Sequence, residues 1–251
     1  MSAPVQRWAL QRILATIDPD GPILEVGCGR GSFTRALAAT GMPLRCADLW
    51  QVHEPIEGVE HTSGADLSSK LPFDEGSFRT LIALEVIEHV TNPFRAVAEM
   101  ARVLEPGGRL YLTLPNFWGV RARWRFLIRG SLNRSHVQDE AAQESLRQGV
   151  CSPHLNTMPW PTLKFALVAH GLEVEELQGF QRKPHLQLGL LPLAALLWLI
   201  ARITPARRRM RFEIDETNRW SILFSSRHVF VSARKRAAIE LSGDRGLVAR
   251  D

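Results

Sequence analysis

The chain is poor in cysteine, its first residues are not expected to form an apolar leader, and it has no hydrophobic run long enough to cross a bilayer. Three cysteines occur in 251 residues: Cys28, Cys46 and Cys151. Their spacing is not that of a metal site, and an odd number does not build a disulfide framework. Cys28 and Cys46 fall in segments expected to be core, where a free cysteine behaves as a small hydrophobe. A reducing compartment is the expectation. Residues 1–17 are broken by Gln6, Arg7, Gln11 and Arg12, which excludes the continuous apolar centre of a secretory signal. The apolar stretch 188–203 contains Pro192 and falls short of the ~20 residues of a membrane span. No repeat and no low-complexity tract is present, which leaves one globular unit over 1–251.

At this length a single α/β domain with a full core fits, with room for an insert. The formal charge is +5 and the pI is near 9.6. An anionic partner follows: phosphorylated substrate, lipid headgroup or nucleic acid. The excess is gathered in two clusters, Arg121, Arg123, Arg125, Arg129 and Arg134, then Arg202, Arg207, Arg208, Arg209 and Arg211.

The most informative stretch is ILEVGCGRGS at 23–32. A short apolar run with a β-branched residue at each end suits a buried strand. Gly27, Gly29 and Gly31 then let the chain turn sharply and let a ligand touch backbone. Ser32 is placed to cap a helix over 32–40, whose first N–H groups are unpaired and point outward. Strand, loop and helix together make a socket for a nucleotide-like ligand. A dinucleotide fold wants G-x-G-x-x-G. Here the third glycine position is Ser32, Gly31 comes one place early, and Glu25 lies two residues before Gly27. The string E-x-G-x-G-x-G instead resembles the first motif of class I S-adenosylmethionine (SAM) methyltransferases. In that family the acid holds the loop or the methionine amino group, and the glycines pack under the cofactor. The resemblance implies Glu25, Gly27, Cys28, Gly29 and Gly31 as cofactor-binding residues.

The rest of the chain extends the pattern. Residues 4–17 suit an amphipathic helix with Val5, Trp8, Ile13 and Ile17 on one face. Residues 44–49 suit a second strand that carries Asp48. An acid about 20 residues past the glycine loop is where a nucleotide-binding fold bonds ribose hydroxyls, and the resemblance gives Asp48, with Leu49 beside it, the same place. A third strand at 59–63 leads into Gly64-Ala65-Asp66-Leu67. The family's next landmark implies Asp66 as acceptor for the adenine amino group and Leu67 as an adenine wall, which suits an exocyclic amine on an apolar ring. The segment 70–78 resembles the turn into strand four at 80–84, although many relatives carry Asp where this chain has Arg79. Glu85-Val86-Ile87-Glu88-His89-Val90 follows. Then come a helix begun by Asn92-Pro93, a turn at 105–108, and strand five at 109–114, closed by Pro115-Asn116. EVIEHV and LEPGGRLYLTLPN, in this order, closely resemble the family's middle. A helix at 161–170 ended by Gly171, a strand at 172–177 and a last strand at 228–233 complete the expectation. It is a Rossmann-like α/β fold with a seven-stranded, mostly parallel sheet, helices on both faces and a helical apolar insert. That the last strand is antiparallel is implied by the resemblance alone.

Methyl transfer from a sulfonium is an in-line displacement of an already activated group. The protein mainly aligns the nucleophile and excludes water. A hydroxyl nucleophile must also lose a proton, to a base or through a metal. In such a fold the acceptor lies beyond the carboxyl ends of strands four and five. That places His89 and Glu88 as catalytic candidates, Glu85 as a cofactor contact, and Asn116, Trp118 and His154 as substrate contacts. The segment 118–150 is the expected lid. Glu85, Glu88 and His89 also form E-x-x-E-H, and on a helical turn such positions share a face. Two carboxylates and an imidazole can hold a divalent metal. Ubiquinone-pathway O-methyltransferases and small-RNA 2′-O-methyltransferases, which this string resembles, use it so, with His154 matching a further ligand of the latter. The simpler reading has no metal: Glu88 pairs locally and His89 lines the acceptor pocket as base or contact.

Residues 185–215 join the apolar run, with Trp198 inside it, to the second arginine cluster. This fits an interfacial helix on an anionic membrane surface; a lid helix or a dimer surface is the alternative. The stretch 121–129 can grip a phosphodiester but lacks the stacking aromatics of a single-strand platform, which ranks nucleic acid lower. The expectation is a cytoplasmic SAM-dependent methyltransferase, peripheral on the inner membrane, acting on a hydroxyl of a small-molecule or lipid-linked, quinone-like or surface-glycan precursor. Its rivals are an RNA 2′-O-methyltransferase, a dinucleotide oxidoreductase, which Ser32 disfavours, and a SAM-binding or membrane-adaptor protein without catalysis.

Overall fold

Four buried residues, Ile23–Val26, form strand β1, and the sheet is laid down on either side of it. In the computed structural model the described residues are 3–50, 55–132, 140–147, 154–180, 188–225 and 227–236. Strands β2 (Leu44–Asp48) and β4 (Phe78–Leu84) flank β1 in parallel, with Leu24 opposite Arg45 and Leu81. Strand β3 (Glu60–Ser63) closes one side. On the other lie β5 (Leu104–Pro115), β7 (His228–Lys235) and β6 (Leu172–Gly179), giving the order β3-β2-β1-β4-β5-β7-β6. Strand β7 slots between β5 and β6 and runs antiparallel to both. The helices are α1 (Ala3–Leu14), α2 (Ser32–Ala38), α3 (Pro93–Val103), α4 (Val120–Arg129), α5 (Glu140–Arg147), α6 (Trp160–Ala169), α7 (Leu191–Ile203), α8 (Ala206–Arg211), α9 (Ile214–Thr217) and α10 (Trp220–Leu223).

Side chains alternate across a strand, so each strand feeds two cores. Leu24, Val26, Leu81, Ala83, Leu110 and Leu112 pack with Val97 and Met100 of α3 and Leu163 and Leu167 of α6. Ile23, Ile82, Leu84 and Tyr111 pack on the opposite face with Ile13 of α1 and Phe33 and Leu37 of α2. Two covered faces explain why the central strands read as unbroken apolar runs. Helix α3 starts where Asn92 accepts a hydrogen bond from the Arg95 N–H, with Pro93 next in line; both are helix-start signals.

Two expectations change. Ser32 does not cap α2: the cap position is Gly31, in the left-handed region at φ 69°, and Ser32 is already helical. Its hydroxyl accepts from Gln6 Nε2 at 2.7 Å instead. The expected turn at 105–108 is a bulge within β5, because Phe78 pairs with Leu104 while Thr80 pairs with Arg109. A Cβ on Gly108 would lie 2.9 Å from two backbone oxygens, so only glycine fits that crossing. The start of the expected lid is the regular helix α4, and Arg134, Cys151 and parts of 118–150 and 185–215 lie outside the described residues.

Candidate functional site

The parallel strands all end on one edge, so the loops after β1, β2, β3, β4 and β5 converge there. Chain connections leave β1 and β4 in opposite directions, and such a crevice is where open α/β sheets bind ligands. Gly27, Gly29 and Gly31 have φ values of 74°, 54° and 69°, which glycine adopts at little cost. A Cβ on Gly27 would meet Val86 Cγ2 at 2.4 Å, so the loop after β4 packs directly on the glycine turn. A Cβ on Gly29 would meet nothing within 4 Å among the described residues, so this glycine borders open space.

Asp48 ends β2 and is buried. Its Oδ2 accepts from the Gly29 N–H at 2.8 Å and its Oδ1 from the Trp50 N–H at 3.0 Å. The carboxylate therefore holds the glycine loop in shape, work that the sequence did not suggest for it. Leu49 follows and is exposed on the same rim. Asp66 is half-buried and accepts from the Ser68 N–H at 2.7 Å. Leu67 lies in the core beneath it rather than on the surface.

Glu25 shares the parity of Ile23 and so faces α2. It is buried, and its Oε2 has no hydrogen-bond partner among the described residues. Burial first, then the Asp48 charge, pushes its pKa up to about 7 against the opposing effect of the Thr34 hydroxyl. A buried carboxyl of this kind is completed by a cationic donor. Cys28 is buried against Cys46, which with burial raises its thiol pKa strongly. The Cys46 Sγ lies 2.9 Å from Nδ1 of His61, a partner that spacing alone had not marked.

Beyond β4 the chain makes a turn closed by the His89 N–H on the Val86 carbonyl. Glu85 stands apart from that turn at φ 57°, left-handed and strained for a non-glycine residue. Its side chain runs to Nε2 of His228, 3.1 Å away at the start of β7. The helical face expected to unite Glu85, Glu88 and His89 is therefore absent. Instead the Leu155 and Asn156 N–H groups both donate to the Glu88 carbonyl, at 2.8 and 3.0 Å. The Asn156 amide also donates to the Val90 carbonyl. These bonds bring the His154 ring edge-on to His89, with centroids 4.9 Å apart.

Ligand atoms of Glu88, His89 and His154 lie within 4.8 Å of one another. Glu88 is 1% exposed, and neither carboxylate oxygen has a hydrogen-bond partner among the described residues. Burial, and then the Glu85 charge, raises its pKa well above the usual range. One carboxylate and two imidazoles are a chemically suitable donor set for a divalent ion; Glu85 is outside it.

Asn116 has different work from that expected. Its Nδ2 donates to the Ile222 carbonyl at 2.8 Å and to Ser225 Oγ, and its Oδ1 accepts from the Trp118 and Gly119 N–H groups. With two donors and two acceptor positions engaged, the amide is a structural brace between β5, α4 and α10. Trp118 packs edge-on against Trp160 inside the core. A cavity of about 250 Å³, lined by Asp18, Arg79, Arg109 and Arg234, opens toward the amino ends of β4 and β5, away from the glycine loop. Its arginines are already paired with Asp18, Glu105 and Glu175.

Residues 24–112 match the family described as a methyltransferase domain. A ubiquinone biosynthesis O-methyltransferase from Xanthomonas euvesicatoria pv. vesicatoria is 32% identical over 105 residues, which cover 38% of this chain and 43% of that protein. The chain thus spans less than half the length of that curated relative. A solved SAM-dependent methyltransferase from Mesorhizobium loti has a TM-score of 0.54 at 19% identity, covering 91% of this chain and 97% of its own. The cyclase SpnF has a TM-score of 0.52 at 20% identity, covering 92% of this chain and 81% of its own. Likeness at these identities is one of fold, and a fold shared with a cyclase does not by itself fix a reaction.

Proposed function

We propose, for a chain whose residues 24–112 are a methyltransferase domain, that it moves the methyl group of SAM onto a hydroxyl oxygen of a small, apolar, quinone-like acceptor. One observation carries the reading. A glycine loop braced by Asp48 borders open space, and a buried Glu25 beside it has an oxygen without a partner. SAM carries an ammonium group that would complete Glu25 and ribose hydroxyls that suit Asp48. The choice of oxygen as acceptor atom is supported by the named activity of the 32% identical relative.

In the proposed reaction the acceptor oxygen attacks the methyl carbon and the carbon–sulfur bond breaks. Sulfur leaves as a neutral thioether, and the hydroxyl proton goes to His89. Glu88 lies beside that imidazole, its ligand atoms within 4.8 Å of those of His89, and burial raises its carboxyl above the usual range. A divalent ion, where one binds, would be held by Glu88, His89 and His154 and would make the acceptor hydroxyl more acidic.

Titration calorimetry with S-adenosylhomocysteine against NADH tests the cofactor. Tritium from methyl-labelled SAM, followed into the lipid, glycan and RNA fractions of a cell extract, tests the acceptor. Label in the lipid fraction is expected. Indifference to S-adenosylhomocysteine at millimolar concentration would overturn the reading, and label confined to RNA would replace its acceptor.

A further inference from the structure

Helix α7 is packed the wrong way round for a core helix. Its sequence, LPLAALLWLIARI, is apolar almost throughout. Yet the residues it buries are Ala194 and Ala201, two turns apart on one face. Leu191, Leu196, Trp198, Leu199, Ile200 and Ile203 are 38–72% exposed. A helix on a water-facing surface turns its large apolar side chains inward; here the fully buried positions are alanines, Leu193 and Leu197 are half-buried, and the other large side chains face out. Helix α4 repeats the inversion. It buries Val120 and Ala122 and exposes Trp124, Phe126, Leu127 and Ile128.

The two helices are fastened to one connector. Arg123 of α4 donates to the Thr217 carbonyl at 3.3 Å, and Asn218, the next residue, donates to the Leu197 carbonyl of α7 at 3.3 Å. Arg121, Arg125 and Arg129 on α4, Arg202 on α7 and Arg207 and Arg208 on α8 are all exposed. The segments 117–132 and 188–212 contain no Asp or Glu. The Arg202 guanidinium lies 4.9 Å from the centre of the Trp198 ring, so one of these charges sits directly on an exposed aromatic.

We propose that α4, α7 and α8 form a docking surface for an anionic lipid membrane, lying in its headgroup layer. The occupant is chosen by charge and shape. A second copy of the chain would bring the same patch against itself about a twofold axis, setting arginine against arginine. A nucleic acid would satisfy the arginines but leave the leucines facing phosphates. Anionic headgroups above an acyl boundary match both components. Thirteen residues of helix reach about 20 Å, short of the ~30 Å hydrocarbon core. Among the described residues no helix is long and apolar enough to cross, so α7 lies along the surface. Its test needs no catalysis.

The experiment is flotation of the full chain with vesicles of phosphatidylcholine, alone or mixed with phosphatidylglycerol, at low and high salt. Binding is expected only with the anionic lipid and is expected to fall with salt. Trp198 emission should shift to the blue on binding, and Trp198→Phe should remove that component. Leu199→Asp should abolish flotation, and Arg207→Glu with Arg208→Glu should weaken it by about tenfold or more. Because these side chains are exposed, the melting temperature of each variant should match the parent. Absence of flotation at low salt overturns the proposal. So does flotation untouched by Leu199→Asp, or a dimer in sedimentation that Leu199→Asp converts to monomer.

Discussion

Glu85 and His228 meet across the end of β5, with Nε2 of the imidazole 3.1 Å from Oε2 of the carboxylate. They are 143 residues apart in the chain and adjoin because β7 enters antiparallel beside β5, with His228 opposite Pro115. The bond secures the strained backbone at Glu85, whose own N–H donates to the Thr113 carbonyl at 2.9 Å. The loop carrying Glu88 and His89 is therefore anchored at its root.

Removing the imidazole should be costlier than removing both partners. Glu85 Oε1 already has no partner among the described residues, and His228→Ala would leave Oε2 in the same state. A loss of about 1–3 kcal/mol in urea unfolding is expected. Adding Glu85→Gln should recover part of it, because a neutral amide is easier to bury. A His228→Ala protein as stable as its parent would contradict this account of the pair.

Two glycines in one loop should respond differently to alanine. At Gly27 the new methyl would collide with Val86 at 2.4 Å, and φ is 74°, so Gly27→Ala should lower the melting temperature clearly. At Gly29 only the left-handed backbone opposes the change, by about 1–2 kcal/mol, since no described atom lies within 4 Å. Gly29→Ala should therefore fold yet lose affinity for S-adenosylhomocysteine by calorimetry. Unchanged affinity in that variant would place the ligand elsewhere.

Glu25 makes a pH-dependent prediction. Its pKa rises from 4.5 in the unfolded chain to about 7 in the fold. Its contribution to stability is then full below pH 4.5, declines as pH rises, and is lost above about pH 7. The gap corresponds to about 3 kcal/mol, an order of magnitude only. Glu25→Gln should remove that decline, so the ligand-free variant should be relatively more stable at pH 8 than at pH 4.5. The same change should weaken SAM binding by about tenfold or more, through loss of a charged hydrogen bond. Thermal melts across pH, with and without ligand, check both halves.

The sheet was legible because its central strands are apolar on both faces and its turns are marked by glycine and proline. Strand β1 appears where ILEV predicts it. The antiparallel entry of β7 was not legible from pattern, since alternation does not record strand direction. For the same reason His228, lone and distant, gave no sign of Glu85. Asp48 and Asn116 were singled out, but for ligands. Their bonds to Gly29 and to Ile222 depend on where loops return in space. E-x-x-E-H suggested a helical face, whereas the chain takes a left-handed step at Glu85. His154, named on the resemblance alone, lies beside His89, the ring centroids 4.9 Å apart.

The Glu88, His89 and His154 group separates a base from a metal site. A base at His89 needs no ion, so turnover should survive dialysis against EDTA. His89→Ala should lower kcat by about 10²–10⁴, with affinity for S-adenosylhomocysteine unchanged and the acidic limb of the pH–rate profile removed. A metal site predicts the opposite pattern. EDTA would abolish turnover, Mg²⁺ or Mn²⁺ would restore it, and Glu88→Gln would be as damaging as His89→Ala, because a neutral amide is a poor ligand. Glu88→Gln separates the two patterns: with His89 as a base and no ion, it should retain most of the activity that His89→Ala loses, since glutamine keeps the shape of the buried Glu88 side chain.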